Sequence, residues 1–230
     1  MIDSDGQNTT EAVIFDLDGV LVDSETVWDE ARQQVVANHG GTWRADATQA
    51  MMGMSSPEWS SYLRDRLGVQ ETPDAIAAEV VALVEREYSD RLPLLPGAAA
   101  TVNALAGRWP LGLASSSNRP IIELFLDASA LRLSFSATVS SEEVARGKPA
   151  PDVYLEAARR LVVAPERCVA IEDSTNGIRA GLAAGMAVIA VPNLHFPPDA
   201  ATLDQASVVV QTLSEITVEL VLASAGRDER

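Results

Sequence analysis

Two aspartates one residue apart, Asp16 and Asp18, end a short apolar run and lead directly into Gly19. Residues i and i+2 of a strand share a face, with Cα atoms roughly 6.6 Å apart. Residues 12–17 read as a buried strand, so both carboxylates would leave its carboxyl end together. Like charges at the edge of a core are costly unless a counter-charge sits beside them. A divalent metal would supply one, which makes this strand end a candidate reaction centre. The spacing alone does not decide, because Asp and Gly also form plain turns. Asp3-Ser4-Asp5-Gly6 repeats the pattern in the tail, with no strand before it. An EF-hand loop is excluded: Val20 stands at the fifth position and the glycine comes too early.

Three further clusters carry chemistry: Ser115-Ser116-Ser117-Asn118, Gly147-Lys148-Pro149-Ala150-Pro151-Asp152 and Glu172-Asp173-Ser174. With the aspartates they supply a carboxylate nucleophile, a second carboxylate, hydroxyls with backbone N–H groups, one cation and a pair of metal-ligand acids. That is the inventory for phosphoryl transfer through an aspartyl phosphate. Serines before a helix are also ordinary caps, whereas capping accounts for one acid of Glu172-Asp173 but hardly for two. Gly177 and Gly181 do not make a dinucleotide loop, since the preceding strand ends in two acids that would repel a pyrophosphate. Lys148 is the only lysine among 17 Lys+Arg residues. A compact ammonium on a flexible stem suits crowded carboxylates better than a planar guanidinium.

The elements that must position these residues alternate. Apolar strand-like runs occupy residues 12–17, 111–115, 137–140, 168–172, 187–191 and 207–210. From the second run onward, helical patterns at 98–106, 120–126, 152–161 and 177–184 fall between them. This predicts right-handed βαβ crossovers and an α/β fold with a doubly wound parallel sheet. Chemistry in such sheets gathers beyond the carboxyl ends of the strands. About ninety residues separate the first two runs, too many for a crossover, and most read as helical. Val27, Ala31 and Val35 share one helix face; Ile76, Val80, Leu83 and Val84 share another. The expected organisation is a core of residues 1–22 and 96–230 with an inserted α-helical cap, 23–95, acting as a lid over Asp16 and Asp18.

Composition narrows the partners. The chain has 230 residues, 47% hydrophobic and 22% charged, and a formal net charge of -16. That charge argues against nucleic acid and anionic membrane surfaces. No apolar run approaches the roughly 20 residues needed to cross a bilayer. The first eleven residues are polar and acidic, unlike a signal peptide, and read as a frayed tail. The single cysteine, Cys168, reads as a small core residue. A cytoplasmic monomer acting on a small phosphate ester is expected.

The four clusters, in this order, resemble the haloacid dehalogenase superfamily of aspartate-nucleophile phosphotransferases. The matching subgroup has a helical cap after the first strand, as in β-phosphoglucomutase and many small-molecule phosphatases. The resemblance spans residue 13 to about 191 and implies a role for each cluster. Asp16 attacks phosphorus; Asp18 protonates the leaving oxygen and then activates water. Mg²⁺ is held by Asp16, the Asp18 carbonyl and Asp173, with Glu172 direct or through water. Ser115 and nearby amides, including that of Ser116, bind the phosphoryl group, and Lys148 offsets its charge.

The resemblance also separates reactions. Dehalogenases of the family lack the second aspartate, so Asp18 argues against dehalogenation. Phosphonatases use a cap lysine, and this cap has none. β-Phosphoglucomutases carry a histidine where Trp28 stands, and an arginine after a segment comparable to Gly53-Met54-Ser55-Ser56, where none is found. Losing both anchors favours water as acceptor, so phosphatase is expected ahead of mutase; a silent phosphate-binding protein is a third reading. Trp28 either faces the active site or packs within the first cap helix. Met51, Met52 and Met54 form a pocket wall or cap packing, Trp43 and Trp59 are expected to be structural, and His39 and His195 to have no catalytic part.

Overall fold

β1 (Ala12–Phe15) is wholly apolar and buried, as a strand covered on both faces of a parallel sheet must be. The computed structural model describes residues 10–52, 54–193 and 197–225. Most of the acidic tail, Gly53 and His195 lie outside the described residues. After β1 come four helices: α1 (Glu25–Asn38), α2 (Ala47–Met51), α3 (Ser56–Leu67) and α4 (Pro73–Asp90). The chain continues through α5 (Ala98–Ala106), β2 (Leu111–Ser115), α6 (Arg119–Ala128), β3 (Phe135–Ser140), α7 (Asp152–Leu161) and β4 (Cys168–Glu172). It finishes with α8 (Thr175–Ala183), β5 (Ala187–Ala190), α9 (Ala200–Leu203), β6 (Val208–Val209) and α10 (Val218–Ser224).

All strand pairs are parallel and the order is β3-β2-β1-β4-β5-β6. The chain therefore winds one way from β1 to β3, then returns to the other side of β1 at β4. That reversal opens a crevice at the carboxyl ends of β1 and β4. The registers Phe15↔Ile171 and Phe15↔Leu113 bring the ends of β4 and β2 level with that of β1. The expected run 207–210 shrinks to the two residues of β6, an edge strand with Val209 exposed.

Residues between β1 and β2 form the expected helices. Trp28, Ala31 and Val35 make the buried stripe of α1, and Val27 is only partly buried. The two connections to the sheet pair with one another: Val22 bridges Leu94, Asp23 N donates to Pro93 O and Leu95 N donates to Leu21 O. This short ribbon ties both ends of the insert to one place beside Gly19. Cys168 is free and buried. No helix among the described residues is long and apolar enough to cross a membrane.

Candidate active site

Glu172 organises the centre from the last position of β4. Its Oε2 accepts from Asp173 N (3.0 Å), Ser174 N (3.3 Å) and Ser174 Oγ (3.3 Å), curling the chain back over the carboxylate. Ser174 Oγ in turn accepts from Gly177 N, capping α8. Glu172 Oε1 accepts from Lys148 Nζ at 2.6 Å and Tyr154 Oη at 2.8 Å. A carboxylate with no exposed surface is tolerable only when satisfied in this way.

Gly177 is required by that arrangement. A Cβ there would lie 1.9 Å from Glu172 Oε1. Helix propensity alone makes Gly→Ala favourable by about 1 kcal/mol, but this overlap forces the carboxylate off Lys148 and Tyr154. We expect Gly177→Ala to destabilise the protein by about 1–3 kcal/mol, read from urea denaturation. A neutral or stabilised variant would show that Glu172 can move freely. Gly19 meets a similar limit: its φ is +78° and its Cβ would stand 1.9 Å from Asp173 Oδ2.

Lys148 Nζ also donates to Asp16 Oδ1 at 2.7 Å, and its ammonium lies 5.1 Å from the Tyr154 ring centroid. Burial opposes the charge on Lys148, yet Asp16 and Glu172 hold its pKa above the ordinary lysine value. Asp16, Glu172 and Asp173 each offer an oxygen within 4.8 Å of the others, all three buried. Three carboxylates and one ammonium leave a net charge of two negatives. At an effective dielectric of about 20, each carboxylate pair at that distance repels by about 3–4 kcal/mol. Accordingly, burial pushes the Asp16 carboxyl up to about 8 despite the pull of Lys148, with Glu172 and Asp18 adding to the rise. Burial, followed by Glu172 and Asp16, raises Asp173 well above the carboxylate range. Oxygen donors, confinement and an uncompensated charge of two fit a hard divalent cation.

Asp18 is not one of these three carboxylates and is held from both the sheet and the helical insert. Its Oδ1 accepts from Trp28 Nε1 (3.2 Å) and its Oδ2 from Ser117 Oγ (2.6 Å), with Ser115 Oγ at 3.5 Å. Ser115 is fully buried and its hydroxyl also accepts from Ser117 N. Ser116 and Ser117 line the cleft together with Asp16, Asp18, Lys148 and Asp173. Sheet and insert meet around it: Ser56 Oγ donates to Asn118 Oδ1 (2.6 Å) and Asn176 Nδ2 to Met52 O (3.1 Å).

The insert contributes Glu25, Trp28, Arg32, Thr48, Met51, Met52, Met54 and Trp59 to the same cleft. Trp28 thus faces the site, and the methionines form part of its wall. Trp59, expected to be only structural, is buried and lines the cleft as well. Trp43 packs against the core, and His39 binds Glu79 at 2.7 Å, away from the cleft lining. Ser117, Tyr154, Glu25 and Arg32 are not singled out by sequence. Ser117 has a signal, as the third hydroxyl of a strand-end run; the other three carry none without a fold.

A family model described as haloacid dehalogenase-like hydrolase matches residues 10–185. Hexitol phosphatase B of Escherichia coli (strain K12) is 35% identical over 223 residues, covering 92% of this chain and 96% of its own. The bifunctional riboflavin kinase/FMN phosphatase of Arabidopsis thaliana is 32% identical over 212 residues, 91% of this chain; the chain spans only 55% of that longer protein. Among solved structures, CbbY from Rhodobacter sphaeroides in complex with phosphate superposes with a TM-score of 0.82 at 26% identity, covering 93% of this chain and 99% of CbbY.

Proposed function

Because the chain belongs to the haloacid dehalogenase-like hydrolases and is a phosphatase of small phosphorylated metabolites, we propose that it works through an aspartyl phosphate on Asp16. The observation that carries this reading is the meeting of Asp16, Lys148, Glu172 and Asp173 at one cleft, which Asp18 also lines. Asp16, which lines the cleft, attacks phosphorus. Lys148 has three donors; two hold Asp16 and Glu172, and the third faces the transferring group. Ser115 and the amides around Ser116 bind the phosphoryl oxygens. Asp18, oriented by Trp28 and Ser117, gives its proton to the leaving alkoxide and then takes one from the attacking water.

Mg²⁺ would be held by Asp16, the Asp18 carbonyl and Asp173. Glu172 would reach it through water, since both its oxygens already accept protein hydrogen bonds. When bound, the ion supplies charge neutralisation at the phosphoryl oxygens. Residues 23–95 act as a cap that closes over the substrate, supported by the paired connections at Val22 and Leu94. The same reading makes the enzyme a cytoplasmic monomer, in keeping with its one buried, free thiol.

The test is phosphate release from a broad panel of phosphorylated metabolites with and without Mg²⁺. Sugar or polyol phosphates should be hydrolysed, and chelation by EDTA should lower the rate by at least about 10²-fold, with recovery on adding Mg²⁺. Full activity in EDTA would remove the metal from the proposal. Conversion of β-glucose 1-phosphate to glucose 6-phosphate without net phosphate release would replace hydrolase by mutase. Mg²⁺-dependent binding with no turnover of any ester would leave only a phosphate-binding protein.

A further inference from the structure

The phosphate end of the cleft is fully explained by the core residues; two groups on α1 are not. Glu25 and Arg32 stand seven residues apart, two turns of helix, and so share the face that carries Trp28. Both line the cleft. Glu25 Oε2 is buried and accepts no hydrogen bond among the described residues, although the carboxyl has Asn193 as a hydrogen-bond partner. Arg32 Nε is likewise buried and donates none among them. Its guanidinium carbon lies 5.1 Å from the ring centroids of both Trp28 and Trp59. The two indoles meet edge-on, with centroids 6.1 Å apart and planes at 65°. A guanidinium fixed by two indoles is preorganised, and leaving a buried donor or acceptor of charged type unmade costs about 1–3 kcal/mol or more. Both side chains line one cleft from one helix face, and each keeps a buried polar atom that a ligand seated against that face would satisfy.

We infer that Glu25 and Arg32 read neighbouring hydroxyls of a polyol or sugar phosphate, Glu25 accepting from one and Arg32 donating to another. This rests on the phosphatase reading and names its substrate class. The charges around Arg32 choose hydroxyls over a second anion. Asp18, Asp29 and Glu25 already attract the guanidinium, and Asp29 itself accepts from Thr48 Oγ1 and from Gln33. A second phosphate would add acceptors beside the unpartnered Glu25 oxygen. A hydroxyl both donates and accepts, so two neighbouring hydroxyls satisfy one group each. Trp28 links this recognition to the chemistry, because the indole that stacks on Arg32 also donates to Asp18. Arg32 and Glu25 are therefore specificity-determining residues, one on either side of the tryptophan that holds the acid.

The test compares Arg32→Met and Glu25→Gln with the parent enzyme on three esters: D-sorbitol 6-phosphate, fructose 1,6-bisphosphate and hydroxyl-free p-nitrophenyl phosphate. Each substitution should lower kcat/KM for sorbitol 6-phosphate ten- to a hundredfold more than for p-nitrophenyl phosphate. The corresponding affinity of the non-hydrolysing Asp16→Asn protein for sorbitol 6-phosphate, by calorimetric titration, should fall by the same factor. Equal losses on all three esters would show a merely structural role and overturn the inference, as would a loss specific to the bisphosphate. Glu25→Gln keeps the shape of the side chain and covers the case in which Arg32→Met unfolds the insert. If the parent enzyme hydrolyses nothing, the phosphatase reading fails, while calorimetry still decides whether Glu25 and Arg32 bind the polyol.

Discussion

Asp16→Asn should lower phosphate release by about 10⁴-fold or more, the scale on which loss of an attacking group acts, and leave the fold intact. Its carboxylate lies against both Lys148 and the two acids at the end of β4. An amide is the same shape but cannot attack phosphorus. Stability should change little, for two opposing reasons. The substitution removes a buried carboxylate whose charge is disfavoured, as its rise to about 8 records. It also weakens the bond to Lys148, although the amide oxygen still accepts and Glu172 remains as the second partner. A thermal midpoint within a few degrees of the parent is expected, since about 1 kcal/mol corresponds to roughly 2–4 °C in a chain of this size. Phosphate release within tenfold of the parent would remove Asp16 from the nucleophile's role.

Replacing Lys148 should damage activity and stability together. Nζ touches two buried carboxylates, at 2.7 Å and 2.6 Å, and the lysine side chain is 2% exposed. Lys148→Ala leaves both acids without their cation, and breaking a buried pair from one side costs about 3–5 kcal/mol. The thermal midpoint should fall by about 10 °C, and kcat by about 10²–10³-fold as a preorganised charge is lost. Lys148→Arg separates charge from shape. A planar guanidinium keeps the charge but must fit against Tyr154, whose ring lies 5.1 Å from the ammonium. We expect it to recover part of the stability and little of the rate. Near-parental rates with arginine would show that the chain's single lysine stands there by coincidence.

The strand positions and the parallel class were legible because they rest on local signals: short apolar runs, turn residues and alternation with helical periods. The helices Ala98–Ala106 and Asp152–Leu161 fall where periodicity alone sets them. The strand-end clusters could be named for the same reason, since the direction of a strand carries the residues beyond its last position to one edge of the sheet. The α1 stripe was less legible: Val27 and Trp28 both suit an apolar face, and only packing chose Trp28.

By itself, the sequence determined which groups stand at or just past the carboxyl ends of strands: Asp16, Asp18, Ser115, Glu172 and Asp173. Their order and spacing come from strand geometry and need no knowledge of distant contacts. Only the tertiary structure decided what each group touches. Lys148 meets Asp16 across 132 residues of chain, and Ser56 meets Asn118 across 62. It also decided that Gly177 makes room for Glu172, that Asp18 meets Trp28, and that Glu25 and Arg32 reach the cleft, each with one polar atom unpartnered among the described residues. An amphipathic helix announces its buried stripe but not which surface it is buried against. That depends on the two short connections at Val22 and Leu94, which tie both ends of the insert beside the strand that carries the paired aspartates.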